Sequence, residues 1–246
     1  ALRESLSSLG VSLRLRLPSI VRPEERKSLD KWLDLGLPVL TGHLGLVAEL
    51  GALGIDVTAD YAVNCFNQHT ASEIFALGAS RITMSVELTT DEILAVSAPW
   101  NGSRFEIVAY GRPEGMTIEH CVLSAAFDRE PTTCRDLCVR DHTTVELTAT
   151  EGYPYPVAPD SACRNRLLHS RPIEASEFIP RLWNNGLRSY RMLFNVRGDD
   201  VAGISAGYRA MLERLSGSDP SDFDSPASPR ELVAGRFTRG HFARAV

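Results

Sequence analysis

Arg81-Ile82-Thr83-Met84-Ser85-Val86-Glu87-Leu88-Thr89-Thr90-Asp91-Glu92-Ile93-Leu94 decides the fold class. Residues 81–88 have the apolar and β-branched density of a strand. Thr89, with Glu92 three residues on, makes a capping box that opens a helix bearing Ile93 and Leu94. A strand that feeds a capped helix is half of a βαβ unit, and the same half-unit stands just upstream. Residues 56–66 read as a strand ending in Asn64-Cys65-Phe66-Asn67. Thr70 and Glu73 repeat the capping spacing, the helix carries Ile74, Phe75 and Leu77, and Gly78 closes it.

Upstream, Val11-Ser12-Leu13-Arg14-Leu15-Arg16-Leu17 alternates with the period of a strand, with Arg14 and Arg16 on one face, until Pro18 stops it. Pro23-Glu24-Glu25 starts a helix with the stripe Leu29, Trp32 and Leu33. Pro38-Val39-Leu40 reads as a short buried strand, and residues 44–52 as a helix ended by Gly54. Downstream, Phe105-Glu106-Ile107-Val108-Ala109-Tyr110 is a strand, residues 144–157 form a hairpin pattern, residues 176–185 a helix and residues 189–195 a strand. Residues 199–215 are the clearest helix, with Val201, Ile204, Tyr208, Met211, Leu212 and Leu215 on one face.

Six candidate strands, near residues 11, 38, 57, 82, 105 and 189, alternate with helices. That order implies right-handed crossovers and a parallel sheet. The expected fold is α/β, a parallel-stranded TIM-barrel-like domain with a β-hairpin inserted in the cysteine region. A closed barrel needs eight strands, so either two are hidden in ambiguous segments or the barrel is incomplete or modified. The expected division is a barrel-like domain over residues 1–215, a Ser/Asp/Pro-rich linker over 216–230, and a tail over 231–246 that packs on the barrel. Ligands gather at the carboxyl ends of parallel strands, which places Asn64, Glu87, Arg112 and the cysteine loop on a common face.

The 246 residues are 43% hydrophobic and 23% charged, as in ordinary globular proteins, and the formal net charge of −5 argues against strong non-specific nucleic-acid binding. No apolar run is long enough for a membrane span. The first residue is Ala, so a processed product or a piece of a longer protein is expected. Four of the five cysteines, Cys121, Cys134, Cys138 and Cys163, fall close together with 12, 3 and 24 residues between them. Such thiolates suit zinc, copper(I) or an iron–sulfur cluster, and disulfides are the other reading. The N-terminus has no apolar signal region, which favours a reducing, cytoplasmic setting with free or metal-bound thiols. Cys65 reads as a small core residue. No Gly-x-Ser-x-Gly elbow and no His-Glu-x-x-His helix occurs to support hydrolysis.

Four stretches resemble the peptidase U32 family, in particular the C-terminal module of its longer members. They are Asp60-Tyr61-Ala62-Val63-Asn64-Cys65-Phe66-Asn67; residues 81–89; Tyr110-Gly111-Arg112 leading to Glu119-His120-Cys121; and Thr238-Arg239-Gly240-His241-Phe242. The resemblance implies a barrel-like α/β fold and a [4Fe–4S] cluster held by Cys121, Cys134, Cys138 and Cys163, with zinc as the alternative. It implies oxygen-independent hydroxylation of an RNA base or a small aromatic molecule. The alternatives are a collagenase-like peptidase, as the family name says, and a cluster-stabilised structural or RNA-positioning module whose catalytic partner domain lies upstream. The candidate catalytic residues are Glu87, which could act as acid, base or anchor, Arg112, which could grip an anion, and His120, beside Cys121. Asn64, Asn67, Arg239 and His241 are candidate substrate contacts.

Overall fold

In the parallel sheet, strand pairing follows the order of the sequence. The computed structural model describes residues 2–130, 133–134, 136–160, 162–217, 228–233 and 237–244. The chain divides into two units, one of Ala1–Val108, Glu177–Arg191 and Gly240–Val246, the other of Ala109–Ser176 and Met192–Arg239. The fold is mixed α/β. Strands β1 (Leu15–Arg16), β2 (Val39–Thr41), β3 (Val57–Ala59), β4 (Arg81–Thr83) and β5 (Phe105–Gly111) pair in that order, each parallel to the one before. The strand Ser189–Leu193 also pairs with β5.

All six expected strands are present, but several are shorter than their sequence patterns. The run over residues 56–66 leaves the sheet after Ala59, because Asp60 Oδ1 accepts from the Tyr61 amide at 2.8 Å and caps a 3-10 turn, Tyr61–Val63. The run over 81–88 ends at Thr83. Ser85 Oγ then accepts from the Glu87 amide at 3.3 Å and turns the chain, so Glu87 does not end a strand as expected. The alternation over residues 11–17 pairs only at Leu15–Arg16, and a helix, Leu2–Ser8, that the sequence did not announce precedes it.

The capping box of Thr89 and Glu92 forms as read: Thr89 Oγ1 accepts from the Glu92 amide at 3.2 Å, and Glu92 accepts from the Thr89 amide at 2.8 Å. The preceding helix, Gln68–Ala76, is capped differently. Asn67 Oδ1 accepts from the Thr70 amide at 2.9 Å, so the helix begins ahead of Thr70.

Strand register sorts the side chains onto two unlike faces. Val39, Val57, Ala59, Ile82 and Phe105 share one face and are fully buried. Each large side chain among them contributes roughly 1.5–3 kcal/mol. The helix Leu44–Ala52 buries Leu46, Val47 and Leu50 and packs on β2 and β3, and the helix Gln68–Ala76 packs on β4. The opposite face carries Arg16, Thr58, Thr83 and Glu106.

In the second unit the end of β5 pairs antiparallel with a strand at Ile173–Glu174, through Ile173↔Gly111 and Glu174↔Tyr110. The Tyr208 hydroxyl, on the helix Val201–Leu215, lies 2.8 Å from the Ala109 carbonyl and 3.0 Å from the fully buried Glu174 carboxylate. Ile204 and Tyr208 of the expected apolar face are buried, whereas Val201 is half exposed. Thr238, in the expected tail, forms an isolated bridge to Ile173 of this unit.

The unit's second sheet is built from β6 (Glu114–Ile118), β7 (Val145–Thr148), β8 (Pro154–Pro159) and β9 (Asn165–Leu168), ordered β6-β9-β8-β7 and wholly antiparallel. The expected hairpin is β7 with β8, and it forms half of this four-stranded sheet. Residues 218–227 of the expected linker lie outside the described residues, as do residues 245–246.

Gly186 tests how closely the first unit is packed. Its φ is +94°, and a Cβ there would collide with the Asn101 carbonyl, whereas Gly54, at φ +73°, faces open space. Gly186→Ala is expected to cost roughly 3 kcal/mol or more, and Gly54→Ala only about 1–2 kcal/mol. Urea denaturation midpoints check this ordering.

Candidate functional site

The four-stranded sheet collects the cysteines. In the β6–β9 pair, Ile118 lies opposite Asn165, so Cys121, just past β6, and Cys163, just before β9, sit at the same end. In the β7–β8 pair, Val145 lies opposite Val157, which brings the chain after Cys138 to that end too. The short helices Val122–Ala126 and Leu137–Arg140, which follow Cys121 and carry Cys138, are in contact. Phe127 and His142 stack at 4.5 Å just beyond them.

Cys121 and Cys163 are set by local backbone chemistry. Cys121 is the N-cap of Val122–Ala126, its sulfur accepting from the Ser124 amide at 3.5 Å. Asn165, fully buried, accepts from the Val122 amide at 3.2 Å and donates to the Cys163 carbonyl at 3.4 Å, tying the two cysteine turns together. Asp160 builds the turn that holds Cys163. Its Oδ1 accepts from the amides of Ala162 and Arg164 at 2.9 and 3.0 Å, and its Oδ2 pairs with Arg164 Nε at 3.1 Å. Cys163 itself has φ +59°, and Asp136 ahead of the Cys138 helix also has φ +59°. Two non-glycine residues in the left-handed region mark a backbone fixed by its surroundings.

All five cysteines are free thiols; Cys65 is buried and the other four are partly exposed. Burial pushes the Cys138 and Cys163 thiols up, and charge on the other cysteines pushes them further: Cys121 and Cys134 act on Cys138, while Cys134, Cys121 and Cys138 act on Cys163. Burial also raises Cys121, but hydrogen bonds from Ser124, the Leu123 amide and Asn165 outweigh it and hold that thiol below its ordinary value. Among the described residues no three of His, Cys, Asp and Glu form a group that could hold a metal ion as they stand. Cys65, in the first unit, is pushed up to about 11 by burial, as a core thiol should be.

His120 and Cys121 line a pocket of about 390 Å³ with Glu119, Ser124, Asp128 and Arg129. Arg112 stands at the end of β5, one Nη donating to the His169 carbonyl at 3.1 Å and to the Ser170 carbonyl, while its Nε is buried without a partner. Burial lowers its pKa, against the opposing charge of Asp199, Tyr110 and Glu146. Tyr110 donates to Asp199 at 3.1 Å. Arg239 is exposed.

The remaining candidates belong to the first unit. Asn64 is exposed at φ +54° and closes the Tyr61–Val63 turn, Asn67 caps the next helix, and Glu87 is exposed in a turn. His241 Nδ1 is buried without a partner, beside Phe242, which stacks on Phe178 at 5.4 Å and accepts from the Thr90 amide at 3.0 Å.

The model of a family described as Peptidase family U32 matches residues 42–245. The chain belongs to peptidase family U32. The match takes in all four clustered cysteines and both U32 stretches around β3 and β4. The solved U32 peptidase Mk0906 is similar at 17% identity and a TM-score of 0.36, over 44% of this chain and half of that one. No curated protein matches the chain.

The thiols are expected to react in a fixed order in metal-free protein. A lowered pKa puts Cys121 in its thiolate form at lower pH, so its alkylation sets in before that of Cys138 and Cys163, with Cys65 last. Asn165→Leu moves the Cys121 onset to higher pH. Mass-spectrometric mapping of iodoacetamide adducts against pH checks this, and a common onset for these four would contradict it.

Proposed function

We propose that this U32 chain is an iron–sulfur protein whose [4Fe–4S] cluster is held by Cys121, Cys134, Cys138 and Cys163. The observation that carries this reading is four free thiols gathered at one end of one sheet and close enough to feel one another's charge. An all-sulfur donor set fits a cluster better than the mixed nitrogen and sulfur sets common at zinc. A cluster surrounds a volume instead of a point, so its ligands need not converge as those of a single ion do. Asn165 and Ser124 would orient Cys121, in the way groups behind a ligand tune a metal centre. Zinc is the alternative occupant.

The activity that fits is oxygen-independent hydroxylation of an RNA base or small aromatic molecule in the cytoplasm, with the sheet of the first unit as part of a modified barrel. A bound cluster supplies one-electron transfer. Arg112, with a half-buried guanidinium that no carboxylate pairs among the described residues, is suited to hold an anionic group of the substrate. His120, in the pocket beside Cys121, is suited to move a proton there. Glu87 would serve as acid, base or anchor, and Asn64, Asn67, Arg239 and His241 would contact the substrate. A collagenase-like peptidase is the second reading, favoured by the family's name, and an upstream segment of a longer chain would complete the third, an RNA-positioning module.

Protein purified without oxygen is expected to contain stoichiometric iron and acid-labile sulfide with visible absorption. Cys134→Ser with Cys138→Ser should lose both. Zinc alone, or no metal, in the unsubstituted protein would overturn the cluster and the hydroxylase with it.

A further inference from the structure

Ser124 is 3% exposed, and its buried hydroxyl has no hydrogen-bond partner among the described residues. Stability does not account for that group. The helix Val122–Ala126 is otherwise built of Val, Leu and Ala, and an alanine at 124 would fill nearly the same space without stranding a polar atom.

Its position in the helix shows what it serves. Cys121 is the N-cap and Ser124 the third helical residue, which is the spacing of a capping box. Half of the box is made, since the Cys121 sulfur accepts from the Ser124 amide at 3.5 Å. In a full box the side chain of the third residue reaches back towards the N-cap. Here the Ser124 hydroxyl makes no such bond, although the Cys121 sulfur lies within its reach. Both residues line the pocket of about 390 Å³. Other groups fix the backbone around them: Asn165 accepts from the Val122 amide at 3.2 Å, and the Ser124 carbonyl accepts from the Arg129 amide at 2.7 Å. The turn therefore stands without the hydroxyl, which is an unused donor beside a sulfur.

A thiol is a weak acceptor, whereas a thiolate that carries iron is a strong one. A donor at a ligand sulfur stabilises whichever state of a cluster bears more negative charge, and such hydrogen bonds help to set the cluster's potential. Burial strengthens the effect. We propose that Ser124 is a positioning residue that acts through Cys121: with the [4Fe–4S] cluster bound, its hydroxyl donates to the Cys121 sulfur and holds the reduction potential up. The step it biases moves one electron onto the cluster from a low-potential electron carrier, with no bond formed or broken. This role rests on the cluster reading above and accounts for a group that the four ligands leave idle.

Redox titration followed by electron paramagnetic resonance, on protein purified without oxygen, tests this in the unsubstituted protein and in Ser124→Ala. At a fixed potential the ratio of reduced to oxidised cluster is expected to fall about tenfold in Ser124→Ala, the worth of one hydrogen bond to a charged group, which lowers the midpoint by about 59 mV. Iron and sulfide, measured on the same samples, should not change. Thermal unfolding of metal-free protein is the second readout. Ser124→Ala loses only an unpartnered hydroxyl, so its unfolding temperature should equal or exceed that of the unsubstituted protein. An unmoved midpoint at full iron content, loss of iron from Ser124→Ala alone, or a lower unfolding temperature in that variant overturns this role and leaves the cluster standing. Iron and sulfide missing from the unsubstituted protein overturn both.

Discussion

The pairing of Ile118 with Asn165 is the contact on which the cysteine region depends. Strand side chains alternate, so a slip of one residue would turn every side chain of β9 to the other face. Asn165 would then leave the gap where it meets both the Val122 amide and the Cys163 carbonyl. A buried amide that loses its partners costs about 1–3 kcal/mol, so this one side chain helps to hold the register that places it. The turns bearing Cys121 and Cys163 are thereby fixed by the sheet, and the thiols inherit that rigidity.

The first unit uses burial in two opposed ways. Val57, Ala59, Ile82 and Phe105 make one face of the sheet dry, and that face carries the stability. On the other face Asp60, Glu106 and Arg191 are kept from water at a cost that their mutual pairing offsets only in part. The apolar face allows the polar one to exist. A fold in which both faces were charged could not gather enough apolar area to hold together.

Much of the fold was legible because its signals are local. Thr89 and Glu92 lie within one turn, and the apolar runs near residues 38, 57, 82 and 105 each declare a strand unaided. Boundaries were less legible, since they depend on which side chain reaches an amide first: Asn67 took the cap that Thr70 and Glu73 seemed to offer, and Ser85 turned the chain away from a longer β4. β6 was missed because none of its residues is buried, it contains Gly115 and lacks alternation, and its partner β9 lies some fifty residues away in sequence. The cysteines stood out by spacing, whereas Asp160 and Asn165, which hold them, look like ordinary loop residues in the sequence. Asp60, Thr83, Glu106 and Arg191 went unread for the same reason: only the sheet makes them neighbours.

The placement of Cys163 between β8 and β9 bears on how the protein is made. On the ribosome, Cys121 emerges long before β9 exists to support it, and Cys134 and Cys138 follow while their sheet still lacks its second strand in the order β6-β9-β8-β7. A nascent chain therefore shows three unsupported thiols before the fourth arrives, a window open to oxidation or to disulfide exchange. Only after residue 168 has cleared the exit tunnel can the sheet close and present the set together.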